Sequence, residues 1–273
     1  MGILEEIVEN KRREVSDARE LSPIKLLEQS IHFSTPCVSM RSYLSRTDLM
    51  GIIAEIKRKS PSKGVINSHI SVEQLSVGYM QAGASALSIL TDRKYFGGGA
   101  EDLKIARKFN FCPILRKDFI VDPYQVIEAK ALGADVVLLI AAAITPQQVR
   151  SLSKLAHSLG MEVLLEVHSE AELQSHLGQA HLGNDIDLVG VNNRDLSDFS
   201  VDFKRALDLA SKIPSSFTKI AESGISDSDV VVQLKQAGFQ GFLIGEHFMQ
   251  HSKPEVACRR FINRVEESVR NVA

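Results

Sequence analysis

Long apolar runs are missing from this chain: nothing in its 273 residues approaches the roughly 20 consecutive apolar side chains of a membrane-spanning helix. Glu5, Glu6 and Glu9 interrupt the N-terminal apolar residues, so no signal peptide is expected either. Cysteine is scarce as well. Cys37, Cys112 and Cys258 lie too far apart for a CxxC metal pair or a disulfide framework, and a reducing cytoplasm is the expected compartment. His168, His176 and His181 lack zinc-ligand spacing to acidic or cysteine partners; they are expected at the surface or in structural roles, and no metal is expected. Neither sign of charge is in excess, with 32 Lys and Arg against 34 Asp and Glu. A net charge of −2 offers no field to a polyanion, so the basic run Lys57-Arg58-Lys59 with Lys63 is expected to serve a local anion site and not nucleic acid. Tryptophan is absent, which excludes nothing.

What is present is a rhythm. From Ile52 onward, strand-like runs at 52–58, 85–92, 112–119, 135–141, 162–168, 188–194, 218–224 and 241–246 alternate with helical patterns at 72–82, 100–109, 123–132, 146–159, 169–177, 201–212 and 226–237, and a last helix is expected over 254–270. Ala82-Gly83, Leu132-Gly133, Leu159-Gly160 and Ala237-Gly238 supply the glycine that ends a helix in the left-handed conformation. Alternation with short connections implies a parallel sheet, and eight such pairs fit a closed (β/α)8 barrel, a TIM barrel of the α/β class. No Gly-rich dinucleotide fingerprint follows the first strand, which counts against an open doubly wound sheet. Residues 1–48, with Ile3, Ile7, Val8 and Val15 at helical spacing, are too few for a core of their own. They are expected to form a helical extension packed across the barrel near its active-site end, with residues 49–273 forming the catalytic barrel.

The strands break their own apolar pattern where they end. Glu55 and Lys57 in IIAEIKRKSPSKG are two residues apart and so share one side of the first strand. Lys117 ends PILRKDF in phase with Leu115 and with Phe119, which is expected to face substrate; Glu166 follows Leu164-Leu165; Asn192 and Arg194 share a parity; Glu222 and Ser223 end KIAESG. One charged residue at a strand tip is ordinarily just meeting water. Repeated at the same end of several strands, the charges are expected to neutralise one another in a cleft, because buried charge is costly unless paired. Such a cluster can present an ammonium acid beside a carboxylate base. Ser223-Gly224-Ile225-Ser226, leading into a helix, and Gly245-Glu246-His247 suggest a phosphate site after strands seven and eight. Gly97-Gly98-Gly99 is expected to be a flexible loop that moves over bound ligand.

These same stretches, IIAEIKRKSPSKG, SILTDRKYFGGG, PILRKDFIVDPYQV, ADVVLLIAAAIT, LLEVH, VGVNNRDL, IAESGI and GFLIGE, resemble the strand-end motifs of the indole-3-glycerol phosphate synthases over essentially the whole barrel. The resemblance implies conversion of 1-(2-carboxyphenylamino)-1-deoxyribulose 5-phosphate to indole-3-glycerol phosphate with loss of carbon dioxide and water, in tryptophan biosynthesis and without a cofactor. It makes Lys117 the general acid of ring closure and Lys57 the holder of the substrate carboxylate. It makes Glu55 and Glu166 the acid-base carboxylates, and gives Asn192 and Glu222 the orientation of ring and hydroxyls. Arg194 would brace the pocket or reach the substrate, and Ser60, Ser223, Gly224 and Gly245 would hold phosphate. Gly99 and Glu246 depart from a serine found in relatives, which puts a helix cap and a side-chain phosphate contact in question. Another phosphosugar barrel enzyme, such as phosphoribosylanthranilate isomerase, and a catalytically silent binding barrel are the competing readings. Association with other tryptophan-pathway enzymes is left open.

Overall fold

The computed structural model describes residues 2–177, 185–195 and 199–272, so His181 lies outside the described residues. The eight apolar runs form β1 (Ile52–Ile56), β2 (Ala86–Leu90), β3 (Ile114–Lys117), β4 (Val136–Ile140), β5 (Glu162–Val167), β6 (Leu188–Asn192), β7 (Thr218–Glu222) and β8 (Gly241–Ile244). They follow one another around a closed parallel barrel, which shuts where Ile52, Ile53 and Ala54 pair with Phe242, Leu243 and Ile244. The expected (β/α)8 fold is the one observed. Most strands are a residue or more shorter than their apolar patterns, because the backbone leaves the ladder at the rim to enter the loops.

Parity sorts each strand into two environments. Ile53, Ala86, Leu115, Val136, Leu138, Ile140, Leu164, Leu188, Ile220 and Leu243 form an inner cluster that fills the barrel. The alternate residues, such as Ile52, Ala54, Leu87, Ile89, Val137 and Val163, pack outward with the helices in a second, larger core. Two residues further along the inward parity stand Glu55, Lys117, Glu166 and Glu222, so the rule that builds the core also aims the charges into the mouth.

The N-terminal segment departs from the expectation made for it. Helix α1 (Ile3–Leu21) does sit at the active-site end. Helices α2 (Ile24–Leu27) and α3 (Ile31–Ser34) then run along α7 (Pro123–Leu132), the helix after β3, and α4 (Met40–Leu44) reaches the opposite end. There Met40 and Leu44 join the inner cluster and close the barrel floor. Two carboxylates at the N-terminal ends of strands receive this segment. Asp135 accepts from the Val38 N–H at 2.8 Å, and Glu162 accepts from the Met40 and Arg41 N–H groups at 2.8 and 3.2 Å, an anion at a helix N-terminus.

The remaining helices are α5 (Val72–Gln81), α6 (Ala100–Phe109), α8 (Pro146–Ser158), α9 (Glu170–Leu177), α10 (Lys204–Ala210), α11 (Ser228–Gln236), α12 (Glu246–Met249) and α13 (Pro254–Val272). Helix α7 ends at Gly133 with φ of 92°, as its Leu-Gly punctuation implies. Helix α10 is shorter than its pattern because Val201 is held in an antiparallel bridge to Arg194. Helix α11 starts at Ser228, two residues later than expected, because Asp227 caps it by accepting from the Asp229 N–H.

Candidate active site

A cavity of about 700 Å3 opens at the C-terminal ends of the strands. It is lined by every residue singled out above as a site candidate: Glu55, Lys57, Ser60, Lys117, Phe119, Glu166, Asn192, Arg194, Glu222, Ser223, Gly224 and Gly245. Its walls are unlike one another. Ile3, Leu4 and Ile7 of α1 face it together with Leu90, Phe96, Phe119, Leu138 and Ile140, and the Phe96 and Phe119 rings are 5.9 Å apart. The wall after β1, β7 and β8, neighbouring strands in the barrel, includes Ser60, Lys63, Ser223 and the glycine turns at Gly224 and Gly245. An apolar, partly aromatic end therefore faces a polar, backbone-rich one.

Between these ends the charges pair across the mouth. The Lys117 ammonium lies 2.6 Å from Glu166 Oε2 and 3.1 Å from Glu222 Oε2, and the Lys57 ammonium lies 2.7 Å from Glu55 Oε1. Asn192 donates to Glu166 Oε1 at 2.9 Å. Burial works against the Lys117 charge, yet Glu166, Glu222 and Glu55 outweigh it and raise the pKa above that of ordinary lysine. Burial would also raise Glu166, but Lys117, His168 and the hydrogen bonds from Lys117 and Asn192 hold it down at about 2. Glu222 goes the other way, to about 8: burial pushes it up, Lys117 pulls it back, and the Glu166 charge adds to the rise. Two like carboxylates cannot both ionise cheaply around one ammonium, so near neutrality one keeps a proton.

The protonated Glu222 sets a pH dependence. Because its folded-state pKa lies above the unfolded value, the stability it contributes is fully present below the ordinary glutamate range and is lost as pH rises through about 8. Glu222→Gln is neutral at every pH. Its melting temperature is expected to gain on the parent's as pH rises from about 5 to about 9, and parallel melting curves that stay equally spaced across that range would contradict this.

The structure adds residues that sequence reasoning missed. Gly190 points inward on β6, where a Cβ would stand 2.1 Å from Glu222 Oε1; the missing side chain is the space that holds the carboxylate. His168, expected at the surface or in a structural role, is partly buried beside the site, with Nε2 at 3.5 Å from Glu166 Oε1 and Nδ1 at 3.4 Å from Glu172 Oε2. Burial disfavours its charge, but Glu172 and Glu166 raise its pKa above the usual imidazole range. His176 matches its expected structural role, bonding the Glu172 and Ile144 carbonyls at 3.0 and 3.2 Å. The basic run divides. Lys57 and Lys63 line the cavity, whereas Arg58 pairs with Asp102 at 3.0 Å and Lys59 donates to the Lys94 carbonyl. The glycine loop is packed and not open, since a Cβ at Gly98 would stand 1.9 Å from the Leu90 carbonyl oxygen and Arg58 donates to the Gly97 carbonyl at 3.2 Å. Arg194 braces the wall, pairing with Glu246 at 3.1 Å and donating to the Phe199 carbonyl at 3.2 Å.

The family model described as indole-3-glycerol phosphate synthase matches residues 4–261. The chain belongs to the indole-3-glycerol phosphate synthase family. It is 45% identical over 264 residues to the indole-3-glycerol phosphate synthase of Bacteroides thetaiotaomicron, covering 97% of this chain and 99% of that one. To indole-3-glycerol phosphate synthase 2 of Ralstonia nicotianae it is 40% identical over 262 residues, covering 95% and 96%. Among solved structures, thiamine phosphate pyrophosphorylase from Pyrococcus furiosus superimposes with a TM-score of 0.59 at 17% identity, covering 84% of this chain and 98% of that one. KGPDC from Streptococcus mutans gives 0.59 at 13% identity, covering 79% and 97%. Identities this low carry the barrel and nothing about its chemistry. For the indole-3-glycerol phosphate synthase family the mouth of the barrel is the place to look for that chemistry.

Proposed function

We propose that this cavity closes, decarboxylates and dehydrates 1-(2-carboxyphenylamino)-1-deoxyribulose 5-phosphate to indole-3-glycerol phosphate, carbon dioxide and water. As a member of its family the chain is a carbon–carbon lyase of tryptophan biosynthesis acting on a phosphorylated small molecule. The observation that supports the assignment of roles is the Lys117 ammonium held between Glu166 and Glu222, beside a separate Lys57–Glu55 pair. Ring closure turns a carbonyl into an alcohol as an aromatic carbon attacks it, and Lys117 supplies the proton to the carbonyl oxygen. Lys57 holds the carboxylate until carbon dioxide leaves and the ring electrons return to aromaticity. Dehydration then needs an acid at the departing hydroxyl and a base at the ring. Lys57 is the acid, and Glu55 and Glu166 are the carboxylates within reach as base. Asn192 and Glu222 orient the ring and hydroxyls, Phe119 covers the aromatic part, and Arg194 stiffens the wall through Glu246. The chain needs no metal and no cofactor for these steps.

The phosphate is assigned to Ser60, Ser223, Gly224 and Gly245. Ser223 and Gly224 take successive left-handed conformations, with φ of 67° and 73°, which for the serine costs about 1–3 kcal/mol and is the kind of strain found at ligand sites. Asp227 already caps α11, so the support lies in the turn backbone and not in that helix's dipole. Glu246 is engaged by Arg194 and, at 3.6 Å, by Lys63, which leaves the backbone as the phosphate contact.

Purified chain given synthetic substrate is expected to release carbon dioxide and fluorescent indole product in equal amounts; no product under any condition would refute the activity. Gly245→Val is expected to raise KM for the phosphorylated substrate more than tenfold. It should also lower kcat, because a Cβ there would stand 2.5 Å from Glu55 Oε1. Inorganic phosphate should compete in the parent and compete poorly in the variant. An unchanged KM with undiminished phosphate competition would move the phosphate elsewhere.

Residues 1–48 as an extension and 49–273 as the catalytic barrel belong to the same proposal, as does a cytoplasmic location. Free thiols at Cys37, Cys112 and Cys258 support the latter, and among the described residues no helix is long and apolar enough to cross a membrane. Association with other tryptophan-pathway enzymes has the exposed Leu21, Leu26 and Ile31 as its supporting surface.

A further inference from the structure

Lys11 lies on α1, in the extension, and is only 4% exposed. A lysine on a charged amphipathic helix ordinarily reaches for water. This one turns into the barrel rim, with its ammonium 2.9 Å from Asp92 Oδ2, 3.0 Å from Asp118 Oδ1 and 2.7 Å from Glu14 Oε2. Asp92 follows β2 and is fully buried; Asp118 follows Lys117 and is 2% exposed. Each aspartate holds a piece of the cavity. Asp92 Oδ1 accepts from the Tyr95 N–H at 2.7 Å and the Phe96 N–H at 3.3 Å, fixing the loop that presents Phe96. Asp118 Oδ1 accepts from the Phe119 N–H at 2.8 Å, and its Oδ2 accepts from Thr91 Oγ1 at 2.5 Å and from Arg116 at 3.2 Å.

We propose that Lys11 is a positioning residue of the active site, locking Asp92 and Asp118 together and so fixing Phe96, Phe119 and the backbone that carries Lys117. The aspartates belong to different strand ends, and among the described residues the buried Lys11 ammonium is the cation that contacts both. The other charged groups facing this spot are Glu14 on α1, Arg116 on β3 and, through Arg116 at 2.6 Å, Glu128 on α7. Arg116 therefore already serves Asp118 and Glu128. Asp92 has no such second cation among the described residues. Burial would raise the Asp118 pKa, but Lys11 and Arg116 together hold it down at about 2. Without Lys11 that hold on Asp118 weakens, and its carboxyl takes up a proton more readily beside Asp92.

The inference rests on the activity given under Proposed function, and both are read from one set of assays on the full chain. Lys11→Met is expected to lower kcat by about tenfold or more, since small displacements of a proton donor are costly, and to raise KM through Phe96 and Phe119. Its activity should be least impaired in acid and fall further as pH rises from about 5 to about 8, a limb the parent lacks. Lys11→Arg keeps the charge and is expected to stay within about threefold of the parent. Should Lys11→Met not fold, Lys11→Met with Asp92→Asn removes a carboxylate together with the ammonium, and it should fold while showing the raised KM. Variants without the ammonium that keep the parental kcat, KM and pH profile, whatever their melting temperature, overturn the proposal. A parent chain with no turnover would instead refute the activity.

Discussion

Lys117→Met is expected to abolish turnover, by about a thousandfold, while leaving substrate affinity within about tenfold. The reasoning starts from charge. The Lys117 ammonium sits between Glu166, whose pKa is held down, and Glu222, which carries its proton near neutrality, and Lys57 is paired with Glu55 beside them, so opposite charges are matched before substrate arrives. In the proposed mechanism Lys117 donates the proton to the substrate carbonyl, and methionine fills its volume without offering a proton. Losing the ammonium also leaves Glu166 without its main partner, and breaking a buried pair costs about 3–5 kcal/mol unless the survivor neutralises. Lys117→Arg separates the two effects. It preserves the charge and should preserve the melting temperature, but its proton is held too tightly and in the wrong place, so turnover should still be lost. Single-turnover measurement of indole product against direct substrate binding checks both variants. A Lys117→Met rate above about a tenth of the parent's means that the acid has been misassigned.

The second large effect is expected from one carbon atom. Gly190→Ala puts a Cβ where Glu222 Oε1 now stands, 2.1 Å away, and 3.2 Å from Leu164 Cδ1. The obstacle is the end of a side chain and not backbone, so the barrel can keep its fold by moving Glu222. Moving Glu222 takes it from its 3.1 Å contact with Lys117 and returns it towards water, where it ionises at an ordinary pKa. The expected result is a fall in kcat of about a hundredfold, of the size that a misplacement near 1 Å produces, with a melting temperature changed far less than a core glycine would suggest. The variant should also lose the pH-dependent stability assigned to Glu222. A Gly190→Ala protein with parental kcat and an unchanged stability profile would show that Glu222 has room elsewhere.

The sequence by itself determined the barrel, because its signals are local. A short apolar run marks each strand, helical periodicity marks each intervening segment, and Leu132-Gly133 and its counterparts mark the ends. The same parity that buries Leu115 and Leu164 aims Lys117 and Glu166 two residues later, so the charged mouth was legible as well, and every expected site residue does line one cavity. Only the tertiary structure decided which charges meet, since Lys117 must reach across the mouth to Glu166 on β5 and Glu222 on β7, and distances between strands far apart in sequence are not written in either strand. Pattern cannot see Gly190, an ordinary small residue within an apolar run whose significance is the carboxylate of another strand. Nor can it see Lys11, which reads as one more solvated charge on an amphipathic helix until α1 is laid over Asp92 and Asp118. His168 looked peripheral because its partners Glu166 and Glu172 are near neighbours in sequence, and only the closed sheet brings Glu166, with the imidazole beside it, against the Lys117 ammonium. Met40 and Leu44 were likewise a short apolar pair in a polar stretch, and became the barrel floor because an open end of inward-facing side chains must be covered from somewhere. Propensity and parity act within a few residues, whereas burial, charge pairing and the pKa values that follow from them arise where the closed fold brings distant segments together.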